Sequence, residues 1–506
     1  MKTHRLRRAL ALLTLCAALV STLTVSVSAA TFQDVPVGHW AAGEINRCVE
    51  HGFFQGQAPG HFGLGESMTR SAFTVVMGRF FGWETPKPAT PTYSDIPANA
   101  WYSGAVQAAF DHGALTRQSS AFRPSEPITR AEMTVMLVRA MEYSDLAGLA
   151  AEQDCPFEDV TENVGYITLA YQLGLMNGTS ATTFAPDRPA TREQVAVIFM
   201  RLYDKLHAPA PAKLTMLSDV EAIPDLTAFS AAAIPGGQMM SISNAASIQE
   251  AMPTEEAFLL RDAAQKAGAN ALLHITVSTT LLQDKKTIET CAAALAQAVT
   301  DGEYDGLLLD VPKLRHSYAA RFTQLAQAVD TALGEKVFYL MAEAPQEHTS
   351  ITTYDGYEFP ALAEAADCLV LRFQTISSRK SNMTVAPLQP LEEIYHVLLS
   401  LKEQGVPTKK AAVLLTSTAA VWNGSSLSTD ALTAEDLQQL MEKENLSAYY
   451  SERYACAYLT GNSKTVWYLD GRGAAERTRL LRFFGVGQIL LSDGNCAAPD
   501  FLSHLN

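Results

Sequence analysis

The sequence predicts a multidomain protein, an all-α unit of three repeats followed by an α/β unit of the (β/α)8 barrel type. Three observations carry this expectation. A helix–loop–helix pattern recurs with a period of about 60 residues up to residue 206. The alternation LHAPAPAKL then marks a stiff, extended spacer. Beyond about Thr215, apolar β-type runs alternate with helical patterns, the texture of a parallel sheet buried on both faces.

The N-terminus reads as an export signal. Lys2, Arg5, Arg7 and Arg8 precede an apolar run from Leu10 to about Val25, and the small residues Ser28 and Ala30 place a cut near Ala30. An uncleaved anchor is the alternative, but the run is short and ends in small residues. Cys16 follows the bulky Leu15, a poor lipoprotein signal. Cutting leaves 34 basic against 53 acidic residues, a net charge of −19. That argues against nucleic acid as a partner. No second long apolar segment is present, so no membrane span is expected after cutting. Cys48, Cys155, Cys291, Cys368, Cys456 and Cys496 form no CxxC, which gives neither a metal site nor a disulfide framework.

The repeats align through three motifs. FQDVPVGHWAAGEI at Phe32 recurs as YSDIPANAWYSGAV at Tyr93 and, shortened, as FEDVTENVGYI at Phe157. EHGFFQG, DHGALTR and QLGLMNG follow, with Gly52, Gly113 and Gly174 spaced evenly by 61. MTRSAF, ITRAEM and ATREQV then start helices at Thr69, Thr129 and Thr191. The apolar positions Phe73, Val76, Met77 and Phe80 lie at i, i+3, i+4 and i+7. Met133, Met136, Leu137 and Ala140 repeat that stripe, as do Val195, Ile198, Phe199 and Leu202. Thr129 with Glu132 and Thr191 with Gln194 predict capping boxes, whereas Thr69 faces Ala72. Capping does not account for Arg70, Arg130 and Arg192. A cation in the first helical turn opposes the helix dipole. Two readings stand: an anion-binding role, or pairing with a carboxylate such as Asp34, Asp95 or Asp159.

These motifs resemble S-layer homology repeats, whose pattern runs F-x-D-V, a tryptophan, a glycine turn and TRAE. The resemblance covers roughly residues 31–206 and divides them as 31–90, 91–152 and 153–206. It implies a pseudo-threefold bundle whose inter-repeat grooves hold an often pyruvylated secondary cell-wall polysaccharide. By position it implies Asp34, Trp40 and Arg70 as groove residues in the first repeat, Asp95, Trp101 and Arg130 in the second, and Asp159 and Arg192 in the third. The tryptophans either stack on sugar or sit in the core, and core is the safer expectation for a single tryptophan. The third repeat is shorter and lacks one.

Residues 207–214 form the predicted spacer and residues 215–506 the barrel, with an open doubly wound sheet as the alternative. No G-x-G-x-x-G or P-loop is present, so no nucleotide cofactor is expected. In a barrel, chemistry sits at the carboxyl ends of the strands. The polar residues there are His274, Asp310, Glu343, Arg372 and Gln374. YDGLLLDVPKL at Tyr304 resembles the fourth strand of the family 18 glycoside hydrolases, D-G-x-D-x-D-x-E, and the order of the surrounding segments agrees across most of 228–506. Such enzymes cleave N-acetylhexosamine polymers with the substrate's acetamido group as nucleophile and the glutamate as acid. Here Asp305 and Asp310 match. Leu308 replaces the middle aspartate and Pro312 the acid. The family's M-x-Y-D on strand six is Leu371, Arg372, Phe373 and Gln374, and its strand-eight tryptophan falls at Leu491 or Ser492.

The sequence therefore points to an exported, wall-anchored surface protein with a glycan-binding barrel that does not hydrolyse. The alternatives are an active cell-wall or chitin-type hydrolase using Glu343 as a displaced acid, and a purely structural S-layer component. The expected partners are wall polysaccharide or peptidoglycan and an N-acetylhexosamine glycan, with no cofactor or metal.

Overall fold

The structure is a computed structural model of the chain. It describes residues 32–117, 119–242, 245–345, 354–373, 385–492 and 501–505; the expected signal segment, Gln374 and Cys496 lie outside these. The chain divides into two compact units, the first running to Tyr171 and through Leu175–Asp204, the second comprising Gln172–Gly174 and the chain from Lys205 on.

In the first unit the described residues hold seven helices: Ala42–Glu50, Arg70–Phe80, Ser103–Asp111, Arg130–Ala140, Ser144–Ala150, Val164–Gln172 and Arg192–Leu206. The apolar stripes read from the sequence form the core: Phe73, Met77, Met133, Val195, Phe199 and Leu202 are fully buried. Thr129 and Glu132 make the full capping box, whereas Thr191 keeps only half of its own, through Gln194 Oε1. The three residues before those helix starts close a ring of backbone hydrogen bonds. Met68 N–H donates to Ala190 C=O, Ala190 N–H to Ile128 C=O, and Ile128 N–H to Met68 C=O, at 2.8–2.9 Å. One bond per repeat in a cyclic order is the signature of threefold pseudosymmetry.

The second unit is a closed barrel. Its parallel strands are β1 (Ala212–Met216), β2 (Ala231–Ile242), β4 (Asn270–Val277), β5 (Gly306–Asp310), β6 (Val337–Glu343), β7 (Cys368–Arg372), β8 (Ala411–Leu415) and β14 (Gln488–Leu491). They pair in that order, and β1 pairs with both β2 and β14. That double pairing closes the sheet and excludes the open doubly wound alternative. Strand β3 (Ala245–Gln249) lies antiparallel on the end of β2. Inward side chains of alternate strand positions, including Leu214, Leu272, Leu308, Met341, Val370 and Leu490, fill the interior. Since β1 starts at Ala212, residues 212–214 belong to the barrel rather than to the expected spacer.

A five-stranded antiparallel sheet between β8 and the last long helix, Gly471–Phe484, was not anticipated. It comprises β9 (Ala419–Asn423), β10 (Ser426–Asp430), β11 (Ser447–Ser451), β12 (Cys456–Gly461) and β13 (Lys464–Tyr468). The sequence does carry its turn signals. The pair Asn462–Ser463 links β12 to β13 with both residues at positive φ, the geometry of the favoured two-residue hairpin turn.

Candidate functional site

Each junction between repeats is built around one loop phenylalanine, gripped from two sides. Asp34 accepts from the amides of Phe62, Gly63 and Leu64; Asp95 from Phe122 and Arg123; Asp159 from Phe184 and Ala185, all at 2.7–3.0 Å. The carbonyl of the same phenylalanine is taken by the arginine of another repeat. Arg70 Nε donates to Phe122, Arg130 Nε to Phe184 and Arg192 Nε to Phe62, at 2.8–2.9 Å. Each guanidinium also lies over that phenylalanine's ring, at 4.6–5.0 Å from its centroid. The three arginines are buried. Burial draws Arg130 and Arg192 below their ordinary pKa, the direction expected for a cation without a paired acid. Burial alone would raise the Asp34 pKa, but the Leu64, Phe62 and Gly63 amides outweigh it and bring it to about 2.

Neither sequence reading of the arginines describes this arrangement fully. The motif aspartates bind backbone amides, not the arginines. The paired carboxylate is Glu132, 2.8 Å from Arg70 Nη1. The tryptophans also depart from expectation. Trp40 is 60% exposed and Trp101 65%, so neither is core, and both rings are open to a ligand.

At the barrel mouth, β5, β6 and β7 end side by side and aim Asp310, Glu343 and Arg372 inward. Arg372 forks between the two acids. Its Nη1 lies 2.6 Å from Asp310 Oδ2, its Nη2 3.1 Å from Asp310 Oδ1 and 2.8 Å from Glu343 Oε1, and its Nε 3.3 Å from Glu343 Oε1. Asp310 is 4% exposed and Glu343 6%. Burial alone would lower the Arg372 pKa; the Asp310 and Glu343 carboxylates reverse that and raise it. His274 Nε2 is 4.0 Å from Asp310 Oδ2 and has no hydrogen-bond partner among the described residues. Burial pushes the His274 pKa down, against a smaller pull from Asp310.

Asp310, Glu343 and Arg372 are the last residues of their strands, whereas His274 lies three residues before the end of β4; the interaction joining the first three was not legible in the sequence. Glu343 is a neighbour of Asp310 on the adjacent strand, joined to it through Arg372. Pro312 follows Asp310 in a loop that Tyr357 fastens by donating to the Val311 carbonyl at 2.8 Å. Leu308 is buried in the barrel interior and Leu491 is buried as well. Asp305 sits at the other strand end, accepting from the Ala271 amide at 2.8 Å, a structural role. No group of three or more His, Cys, Asp or Glu side chains among the described residues is placed to hold a metal ion. No helix among them is long and apolar enough to cross a membrane.

Residues 92–134 and 156–196 match the S-layer homology domain. A 213-residue stretch is 30% identical to S-layer protein EA1 of Bacillus anthracis, covering 41% of this chain and 24% of that protein. A 204-residue stretch is 28% identical to an S-layer protein of Bacillus thuringiensis subsp. finitimus, covering 40% and 25%. An amylopullulanase of Thermoanaerobacterium thermosulfurigenes is 28% identical over 181 residues, 35% of this chain and 10% of that protein. The chain spans about a quarter of the length of the two S-layer relatives. In fold, the structure is similar to the C-terminal domain of a putative chitinase from Desulfitobacterium hafniense, with TM-score 0.52 and 16% identity, over 59% of this chain and 100% of that one. A class V chitinase from Pseudomonas fluorescens gives 0.50 and 14%, over 58% and 98%. The chain therefore carries S-layer homology repeats, which indicate a cell-surface or cell-wall location, together with a chitinase-like barrel fold.

Proposed function

We propose that the chain is an exported, wall-anchored surface protein whose repeats bind a secondary cell-wall polysaccharide and whose barrel binds glycan without cleaving it. Residues 1–30 direct export, and the repeats within 31–206 attach the protein to the wall. In the grooves, Asp34, Asp95 and Asp159 with Arg70, Arg130 and Arg192 shape the walls, and Trp40 and Trp101 offer exposed rings to sugar faces.

The observation that carries the non-catalytic reading is the Asp310–Arg372–Glu343 clamp. Cleavage assisted by a substrate acetamido group needs a carboxylic acid that gives its proton to the leaving oxygen. Proline 312 has no proton to give. Glu343 Oε1 accepts from two nitrogens of Arg372, and Asp310 accepts from both ends of the same fork. Both carboxylates are thus held by one guanidinium, which only donates hydrogen bonds. The displaced-acid alternative needs Glu343 released from Arg372. The test is product release from N-acetylglucosamine oligomers and from peptidoglycan by the full chain. No product above a no-protein blank is expected; turnover that Glu343→Gln abolishes would establish the hydrolase instead.

A further inference from the structure

Arg477, on the helix Gly471–Phe484, is a buried cation that no acid answers. It is 1% exposed and has no carboxylate within ion-pairing distance among the described residues. Glu476, beside it on the helix, pairs with Arg479, and Asp470, the helix cap, accepts from the Gly473 amide at 2.9 Å. The terminal nitrogens of Arg477 reach main-chain carbonyls instead. Nη1 donates to Ala455 and Gly473 at 2.6 and 3.0 Å, and Nη2 to Gln389 and Tyr454. These bonds tie the antiparallel insertion to the segment that precedes the helix Leu391–Glu403. Gln389 carries the connection on to the end of β8: its Nε2 donates to the Leu414 carbonyl at 2.7 Å, and its Oε1 accepts from the Thr416 amide at 2.9 Å. One nitrogen of the guanidinium is left over. Arg477 Nε is buried and has no acceptor among the described residues. Burial draws the Arg477 pKa below its ordinary value.

A second donor is stranded on the same cavity. Trp467 is 7% exposed, and its Nε1 has no acceptor among the described residues. Trp422, on the neighbouring strand β9, shows the usual arrangement for a buried indole: its Nε1 donates to the Ala386 carbonyl at 2.9 Å. Trp467 and Arg477 both line a cavity of about 20 Å³, together with Leu388, Gln389, Thr416 and Cys456. Among the described residues its wall holds one cation and no carboxylate. Indole and guanidinium nitrogens only donate, so the two stranded groups need an acceptor that the wall does not supply. Both ends of the Gln389 amide are already used. Cys456 supplies no negative charge: its thiol donates to the Tyr468 carbonyl at 3.1 Å, and burial pushes its pKa up to about 12. The volume suits one small occupant, since a water needs about 10–15 Å³. A water would accept from the donors but leave the Arg477 charge unbalanced, and a buried charge is costly unless paired. A monatomic anion answers both needs.

We infer that this cavity, where the antiparallel insertion meets the barrel, binds a chloride ion through Trp467 Nε1 and Arg477 Nε, and that the ion fastens the insertion in place. The test is calorimetric unfolding of the full chain at fixed ionic strength, with sodium chloride replacing sodium gluconate, whose anion is too large for the cavity. The barrel transition is expected to rise with chloride concentration, by roughly 3–5 °C once chloride exceeds its dissociation constant tenfold. Bromide is expected to act in the same way. Trp467→Phe keeps an aromatic ring and removes one donor, and it is expected to shift the curve to about fivefold higher chloride, the effect of one neutral hydrogen bond. Crystals of the wild-type chain grown in bromide are expected to show an anomalous peak within hydrogen-bonding distance of both nitrogens, which decides the question if the variant does not fold. A melting temperature indifferent to halide at fixed ionic strength overturns the inference and makes the occupant a water. So does a halide response that a folded Trp467→Phe protein keeps unchanged, and so does a bromide map with no peak in this cavity.

Discussion

Replacing Arg372 with Met tests whether the barrel mouth is a closed electrostatic unit. The change removes the shared donor from two carboxylates that are 4% and 6% exposed, leaving Asp310 only His274 Nε2 at 4.0 Å. Four contacts of 2.6, 3.1, 2.8 and 3.3 Å disappear together. Removing one partner from a buried ion pair costs about 3–5 kcal/mol, mostly because the remaining charge stays desolvated. For a unit of this size each kcal/mol moves the melting temperature by about 2–4 °C, so the barrel transition is expected to fall by roughly 10 °C. A second variant separates lost charge pairing from lost packing. Arg372→Met combined with Asp310→Leu and Glu343→Met removes all three charges, and an apolar replacement of a buried triad is often neutral or stabilising. Most of the lost stability is expected to return. The assay is calorimetry, with circular dichroism confirming that each variant folds. A loss below about 1 kcal/mol in the single variant would mean the carboxylates are well solvated. A triple variant as unstable as the single would show that the guanidinium acts by shape, and either result refutes the clamp.

Pro312→Glu is expected to yield no cleavage of N-acetylglucosamine oligomers, because Asp310 remains bound to Arg372 and Leu308 offers it no hydrogen bond; clear turnover beside an active family 18 control would show that the loss is confined to one position. Acid should destabilise the repeat unit through Asp34, whose pKa falls from its ordinary 3.8 to about 2 on folding. A depressed folded pKa gives stability that is present above about pH 4 and lost as the pH falls towards 2; Asp34→Asn should flatten that part of a pH–melting curve. Arg130→Ala should lower the melting temperature of the repeat unit by several degrees, since it removes bonds to the Phe184 and Asn177 carbonyls and leaves the Phe184 acceptor buried. Trp101→Ala should weaken wall-polysaccharide binding severalfold with no loss of stability, because the ring is 65% exposed; an equal fall in stability would return it to the core.

By itself the sequence determined what repeats and what is periodic. The spacing of Gly52, Gly113 and Gly174 and the stripes from Phe73, Met133 and Val195 established three units and their buried faces, because helix geometry converts spacing directly into a face. Apolar runs such as GLLLD gave the barrel strands for a similar reason: a strand covered on both sides must be apolar throughout. The antiparallel insertion was not legible because its strands are short and vary from buried (β9) to largely exposed (β10), so no single alternation runs through them and only the turn residues report it. Partnership across the chain was not legible. Nothing local tells that Arg372 answers Asp310 from 62 positions away, or that Arg192 reaches back to Phe62. Such contacts depend on which strand ends share a rim and on the order in which a ring closes. The closed barrel sets three side chains on neighbouring strands within reach, and the cyclic packing sets an arginine of the last repeat against a loop of the first.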